Sequence, residues 1–325
     1  KYRKTFNDVE KKFSSLQKKQ GIEKIDREAQ EKLRSLGYIS ALVPQLKETF
    51  TQEDDLKTLL PFQIQFNKAG SLNEQGNFEE GITVLKEIVQ TKKDFAMAYN
   101  RLSLIYKSQG RINEALKTME EGFNNNPKNY LLISHYGILL VEAGKFNDAI
   151  EVLQKAIALI DYDPETWNYL GVAYWQKGDF QKALEAYQKA LSFDHNNALV
   201  FNNLGSLYLS IFIRSKRADA YDRSVEYFQK ALEFDPSLAS AYNGIGGAFK
   251  VAGKIDEAIS FWERSLELRP DYDFPIYNLG IAYLEKENKA QAFKYFQKYL
   301  SLKRDVMSSE ERRKIEALIQ KCKQE

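Results

Sequence analysis

A small residue returns every 34 positions along most of this 325-residue chain. Ser103, Gly137, Gly171 and Gly205 keep that interval, and Gly246 and Gly280 keep it after one seven-residue slip. A fixed period of this length restricts the fold to an array of one supersecondary unit, stacked so that neighbours bury each other's apolar faces. Length alone would allow two or three globular domains. The period replaces them with a single solenoid.

The unit is clearest from Pro164 onward, PETWNYLGVAYWQKGDFQKALEAYQKALSFDH. Trp167, Leu170, Gly171 and Tyr174 fall on one face of a first helix, and Ala183, Tyr187 and Ala190 on one face of a second. Two helices cross closely only where small side chains let their backbones approach. The first-helix crossing position carries Ala69, Ser103, Gly137, Gly171, Gly205, Gly246 and Gly280, and the second-helix position Gly81, Ala115, Ala149, Ala183, Ser224, Ala258 and Ala292. Large residues such as Met119, Tyr187, Phe228, Trp262 and Phe296 fill the space between. Gly76, Gly110, Gly144, Gly178 and Gly253 suit the left-handed residue that ends a helix. Pro127, Pro236 and Pro270 stop second helices.

At these positions, from roughly Pro61 to Arg304, the sequence resembles the tetratricopeptide repeat family. The resemblance implies an all-α, right-handed superhelical solenoid of seven helix-turn-helix repeats, 62–95, 96–129, 130–163, 164–197, 198–238, 239–272 and 273–306. The expected organisation is amphipathic helices over 1–40, a linker with a short helix over 41–61, the array over 62–306 with an insertion at 210–222, and a capping helix over 307–325. Seven extra residues are close to two helical turns, so the insertion is expected to lengthen a helix pair in phase, with Arg214, Lys216 and Arg217 projecting from it. In the last segment Ser308 and Glu311 have capping-box spacing, and Ile315, Leu318, Ile319 and Cys322 form one apolar stripe.

Residues 1–20 read as one amphipathic helix. Tyr2, Phe6, Val9, Phe13 and Leu16 alternate spacings of four and three, flanked by Lys4, Lys11, Lys12, Lys18 and Lys19. Three uses fit this pattern: a cap on the chain's own array, a docking helix for another molecule, or an anchor on an anionic membrane surface. The sequence opens on Lys1 rather than methionine, as expected of a trimmed or processed chain. Glu31–Tyr38, EKLRSLGY, looks like the tail that joins bacterial sulfatase-type domains to tetratricopeptide arrays. That family's catalytic motif needs an arginine two residues after a proline, and none of the seven prolines has one. The resemblance implies the tail of a larger exported protein, or a relative without its enzyme, and so an extracellular or cell-surface setting.

In the resembled fold, first helices line a concave groove. Its expected partner-binding residues are Asn100, Leu104, Ile138, Val141, Asn168, Val172, Trp175, Asn202, Leu209, Asn243, Phe274, Tyr277 and Ile281. The surface is mostly apolar, which marks interaction sites. Asn100, Asn168, Asn202 and Asn243 share one repeat position; such amides either grip a guest backbone or bond neighbouring helices. The carboxylate-clamp subclass of the family needs several cations here, whereas only Lys107 and Lys250 are basic. An amphipathic helix matches the groove better.

Composition excludes several classes. Net charge is +2, so no bulk attraction to nucleic acid is expected. A single cysteine, Cys322, rules out an intrachain disulfide framework and any CxxC metal knuckle. No apolar run reaches 18 residues, so no spanning helix is expected. His135 and His195 have no ligand partner at metal spacing, and Asp161, Asp163 and Glu165 read as helix capping rather than calcium ligation. Gly244-Ile245-Gly246-Gly247 falls inside a helix and is not a phosphate loop. The expectation is therefore a scaffold without catalytic residues, metal or cofactor. It binds a protein segment, favourably a second copy in head-to-tail assembly; the alternatives are a monomeric adapter or an accessory module of a sulfatase-like enzyme.

Overall fold

The computed structural model describes residues 56–304 and 307–323, which all belong to one compact unit, Gln52–Glu325. The segment 1–20, with Tyr2, Phe6, Val9, Phe13 and Leu16, lies outside the described residues, as does Glu31–Tyr38. Seven helix pairs follow one another: α1 Leu56–Glu74 and α2 Phe78–Thr91, α3 Ala96–Ser108 and α4 Ile112–Asn125, α5 Tyr130–Glu142 and α6 Phe146–Leu159, α7 Pro164–Gln176 and α8 Phe180–Phe193, α9 Ala198–Ser215 and α10 Ala218–Phe234, α11 Ala239–Val251 and α12 Ile255–Leu268, α13 Asp273–Glu285 and α14 Lys289–Leu302. A last helix, α15, spans Ser309–Lys323. Helix α1 starts at Leu56, inside the stretch expected to be linker with a short helix, and runs through Pro61.

Helix α8 shows how sequence makes each element. Ala183, Ala186, Tyr187 and Ala190 recur at helical spacing and are all buried. Asp179 starts the helix by accepting a bond from the Lys182 amide at 3.2 Å. Upstream, α7 begins at Asp163, whose carboxylate accepts from the Glu165 and Thr166 amides, with Pro164 pre-set in the first turn. The α7 end closes when the Asp179 amide reaches back to the Tyr174 carbonyl at 2.9 Å while Gly178 takes φ +81°. The corresponding turn of repeat 7 closes the same way although Glu287 stands in the glycine's place, at φ 58°. The array imposes this backbone, and the side chain tolerates it.

In repeats 3 to 7 the hairpin is locked by a ring or branched chain lying over a first-helix glycine. A β-carbon added at Gly171 would sit 2.5 Å from the Tyr187 ring; at Gly246, 2.5 Å from Trp262; at Gly280, 2.6 Å from Phe296. Gly137 receives Leu153 in the same way. The second-helix crossing residues Ala115, Ala149, Ala183, Ala258 and Ala292 are fully buried. Each locked side chain contributes about 1.5–3 kcal/mol from burial.

Repeat 5 keeps the lock despite its extra length. Helices α9 and α10 run 18 and 17 residues where α7 and α8 run 13 and 14, and Lys216 ends α9 at φ 57°. Phe228 still meets Gly205, 2.6 Å from an added β-carbon. Phe212 and Tyr221 pack within the extension, ring centroids 5.4 Å apart. Its cations are engaged internally: Arg214 over the Phe180 ring, Lys216 over the Phe212 ring, and Arg217 on Asp219 at 2.6 Å.

At the other end, the Ser308 amide donates to Glu311 Oε2 at 2.9 Å and the Glu311 amide to Ser308 Oγ at 3.2 Å, a reciprocal cap. Ile315, Ile319 and Cys322 then pack on Ala292 and Phe296 of α14, with Leu318 partly buried beside them.

Candidate interaction groove

First helices touch the first helices of the next repeat, α3 to α5, α5 to α7, α7 to α9, α9 to α11, whereas second helices make no contact of that extent with one another. The first helices therefore form the inner wall. The sequence-predicted residues divide on that wall into three groups. Leu104 and Phe274 stand 62% and 63% exposed, Tyr277 is exposed as well, and Met97 and Leu199 join them at other repeats. Asn100, Ile138, Val172, Trp175, Asn202, Leu209, Asn243 and Ile281 are half-buried. Val141 and Asn168 are buried, at 7% and 8% exposure, so they belong to the packing of the wall and are not presented to a guest.

The asparagines join helices. Asn100 Oδ1 lies 3.3 Å from His135 Nδ1, Asn168 Oδ1 accepts from Asn203 Nδ2 at 2.9 Å, and Asn243 Oδ1 accepts from Asn278 Nδ2 at 3.3 Å. All three rungs span 35 residues, one repeat plus one position. Asn202 has no such rung: its Oδ1 is buried without a partner among the described residues, and the position that would supply the donor is Gly244. With one lone pair of each oxygen engaged within the wall, Asn100, Asn168 and Asn243 keep fewer acceptor sites for a guest. The two-sided grip on a peptide backbone, one of the two uses their sequence position suggests, is thereby weakened.

A second set of rungs lies two helical turns further on. Lys107 pairs with Glu142 at 2.6 Å, Trp175 Nε1 donates to Ser210 Oγ at 3.1 Å, and Lys250 pairs with Glu285 at 3.0 Å. Both groove lysines thus already hold a carboxylate of the next repeat, which is physical ground against a clamp for free carboxylates.

Sequence reasoning missed the polar seam between repeats 3 and 4. Tyr130 Oη donates to Asp163 Oδ2 at 2.5 Å and lies 2.6 Å from Thr166 Oγ1; Ser134 Oγ lies 2.7 Å from the same hydroxyl. Tyr130, Ser134 and Thr166 are buried. Burial, and then the Asp163 charge, push the Tyr130 phenol far above its ordinary value, so it stays a donor. The available signal was the recurrence of hydroxyls 32 and 36 residues apart. Beside the seam, crowding by the wall lowers the His135 imidazole, partly offset by Asp163. The Glu165 carboxyl is raised by burial and by the Asp163 and Glu142 charges. Among the described residues no group of three or more His, Cys, Asp or Glu converges to hold a metal, and no helix is long and apolar enough to cross a membrane.

Family models described as tetratricopeptide repeat match residues 96–129, 164–197 and 276–306, and one described as TPR repeat matches 137–178. The crystal structure of a tetratricopeptide repeat protein from Parabacteroides merdae ATCC 43184 is similar at TM-score 0.67 and 18% identity, covering 82% of this chain and 100% of that one. The Cut9–Hcn1 hetero-tetramer of the APC/C is similar at TM-score 0.58 and 17% identity, over 82% of this chain and 51% of that one. A thermophilic TPR protein of Thermus thermophilus is similar at TM-score 0.54 and 16% identity, over 59% of this chain and 99% of that one. No curated protein matches the sequence. At these identities the likeness is one of fold.

Proposed function

Because the chain belongs to the tetratricopeptide repeat proteins, whose fold serves as a protein–protein interaction scaffold, we propose that its inner wall receives the amphipathic segment 1–20 of a second copy. The observation that carries this reading is the exposure of large apolar residues, Leu104, Leu199 and Phe274 above all, along a wall whose lysines are already paired. Such a surface prefers an apolar stripe, and Tyr2, Phe6, Val9, Phe13 and Leu16 provide one. Donor and acceptor surfaces differ, so the contact is heterologous, and a heterologous contact that does not close a ring grows an open filament. The protein is then a structural self-assembling scaffold without catalytic chemistry of its own.

Light scattering and negative-stain microscopy of the chain, with and without residues 1–20, test this. Growth that rises with concentration and disappears on truncation is the expected result. Leu104→Glu combined with Phe274→Glu abolishes growth while helicity by circular dichroism stays intact, because both side chains are mostly in solvent. An intact chain that stays monomeric at every concentration overturns the homotypic reading and leaves an adapter for an unrelated protein segment.

A further inference from the structure

A cleft of about 860 Å³ lies between α14 and α15, away from the residues assigned to the groove. A cleft of about 440 Å³ lies at the corresponding step between repeats 3 and 4. Their first walls correspond: Gln297 and Leu300 of α14 hold the repeat positions that Gln154 and Ile157 hold in α6. In the inner cleft α8 supplies a further wall through Lys182, Ala186 and Lys189. At the C-terminal step α14, α15 and the turn between them form the whole lining, and the space is about twice as large.

The two clefts also differ in charge. Around the inner one, Lys182 pairs with Asp179 at 3.0 Å and Glu185 lies in the lining. Around the outer one stand Lys294, Lys298, Arg304 and Arg312, none of which makes an ion pair with a described residue, against the single acid Glu316. Arg312 donates to the Arg304 carbonyl at 2.8 Å, which fixes its guanidinium at the cleft without neutralising it. Half-buried Leu300 adds apolar surface to the same lining, above Ile319, which is buried against α14.

We propose that this cleft seats an acidic amphipathic helix of a partner protein, its apolar stripe on Leu300 and its carboxylates on the four cations. A free anion would use the cations and leave the apolar lining idle. A helix uses both, and takes against α15 the place that α8 takes against α7. The recognition is charge complementarity around a small apolar contact, so it weakens with salt.

Fluorescence anisotropy tests it with a labelled peptide of repeated Glu-Leu-Ala-Glu blocks, about four turns long. The full chain binds this peptide at low salt, and Lys294→Glu with Lys298→Glu weakens binding about tenfold or more. Leu104→Glu on the inner wall leaves it unchanged, which separates this site from the groove. Should the double reversal unfold the cap, Lys294→Gln with Lys298→Gln reads the same loss at about threefold. Equal binding of a Lys-Leu-Ala-Lys peptide overturns the proposal, as does binding indifferent to these substitutions. Binding of inorganic polyphosphate with none of the acidic peptide likewise overturns it, in favour of a phosphate site.

Discussion

The joint between repeats 3 and 4 and the joint between repeats 5 and 6 link first helices by opposite means. At the former, Tyr130 and Thr166 donate to the Asp163 carboxylate and Ser134 joins through Thr166, in one buried to part-buried hydrogen-bonded cluster. At the latter, the Phe228 ring is wedged under both Gly205 and Gly244, and Asn202 Oδ1 is left without a partner among the described residues. An added β-carbon at position 244 would lie 2.3 Å from that ring. Repeats 3, 5 and 7 carry His135, Asn203 and Asn278 at the position of Gly244, and each of these makes a rung. Ring and rung therefore compete for one place. Where the aromatic wedge occupies it, an unsatisfied amide is the cost, which mutational data put at about 1–3 kcal/mol.

The largest expected effect breaks the wedge. Phe228→Ala removes a fully buried ring and costs about 3–5 kcal/mol, read as a lower denaturation midpoint. Gly244→Ala alone costs about 1–3 kcal/mol through the clash, but in the Phe228→Ala background the same change is close to neutral. Additive costs in that cycle would show that the wedge does not exclude a side chain at 244. Next in size, Thr166→Val keeps the shape of the seam and removes the hydroxyl shared by Tyr130 and Ser134; it lowers stability by about 1–3 kcal/mol. Amide hydrogen exchange across α5 and α7 locates that loss, and uniform protection would refute it.

The smallest effect concerns pH. Desolvation by the neighbouring wall depresses the His135 imidazole in the folded chain below its ordinary 6.5, although the residue still reaches solvent. As pH falls through that ordinary value, the unfolded chain takes up the proton first, so stability declines on the acid side and is flat above it. His135→Asn copies the Asn168–Asn203 rung and changes stability at neutral pH by less than about 1 kcal/mol. Comparing the two proteins between about pH 5 and 7.5 should show the variant losing part of the acid slope; identical slopes would mean that His135 does not contribute.

The hairpin locks were legible because they depend on size, and size recurs in phase: glycine in the first helix faces a large residue 16 positions on, or 23 in repeat 5 with its seven extra residues. The Ser308–Glu311 pairing was legible because both partners lie within one helical turn. The rungs were legible only in part: bonding of neighbouring helices was one of the two uses open to the amides, but each partner sits in a different repeat, so which residue completes the bond was hidden. Asn168 is the instructive case. Its position says inner wall, but only the polar residue at 203 tells that its oxygen is engaged. The cationic cleft was hidden for a similar reason, because Lys294 and Arg312 come together only through the angle between two helices.

Repeat 5 absorbs seven more residues than its neighbours and still delivers Phe228 to Gly205. In a pair of antiparallel helices, chain that travels outward along one must return along the other. A single added residue advances a helix by about 1.5 Å and swings every later side chain by about 100°. Such an arrangement admits extra length only in parcels: roughly two turns shared out and back are harmless, whereas one or two residues would aim the ring at empty water. Evolution can thus stretch one rung of this protein's spiral without retuning the others, but it has no small steps by which to do so.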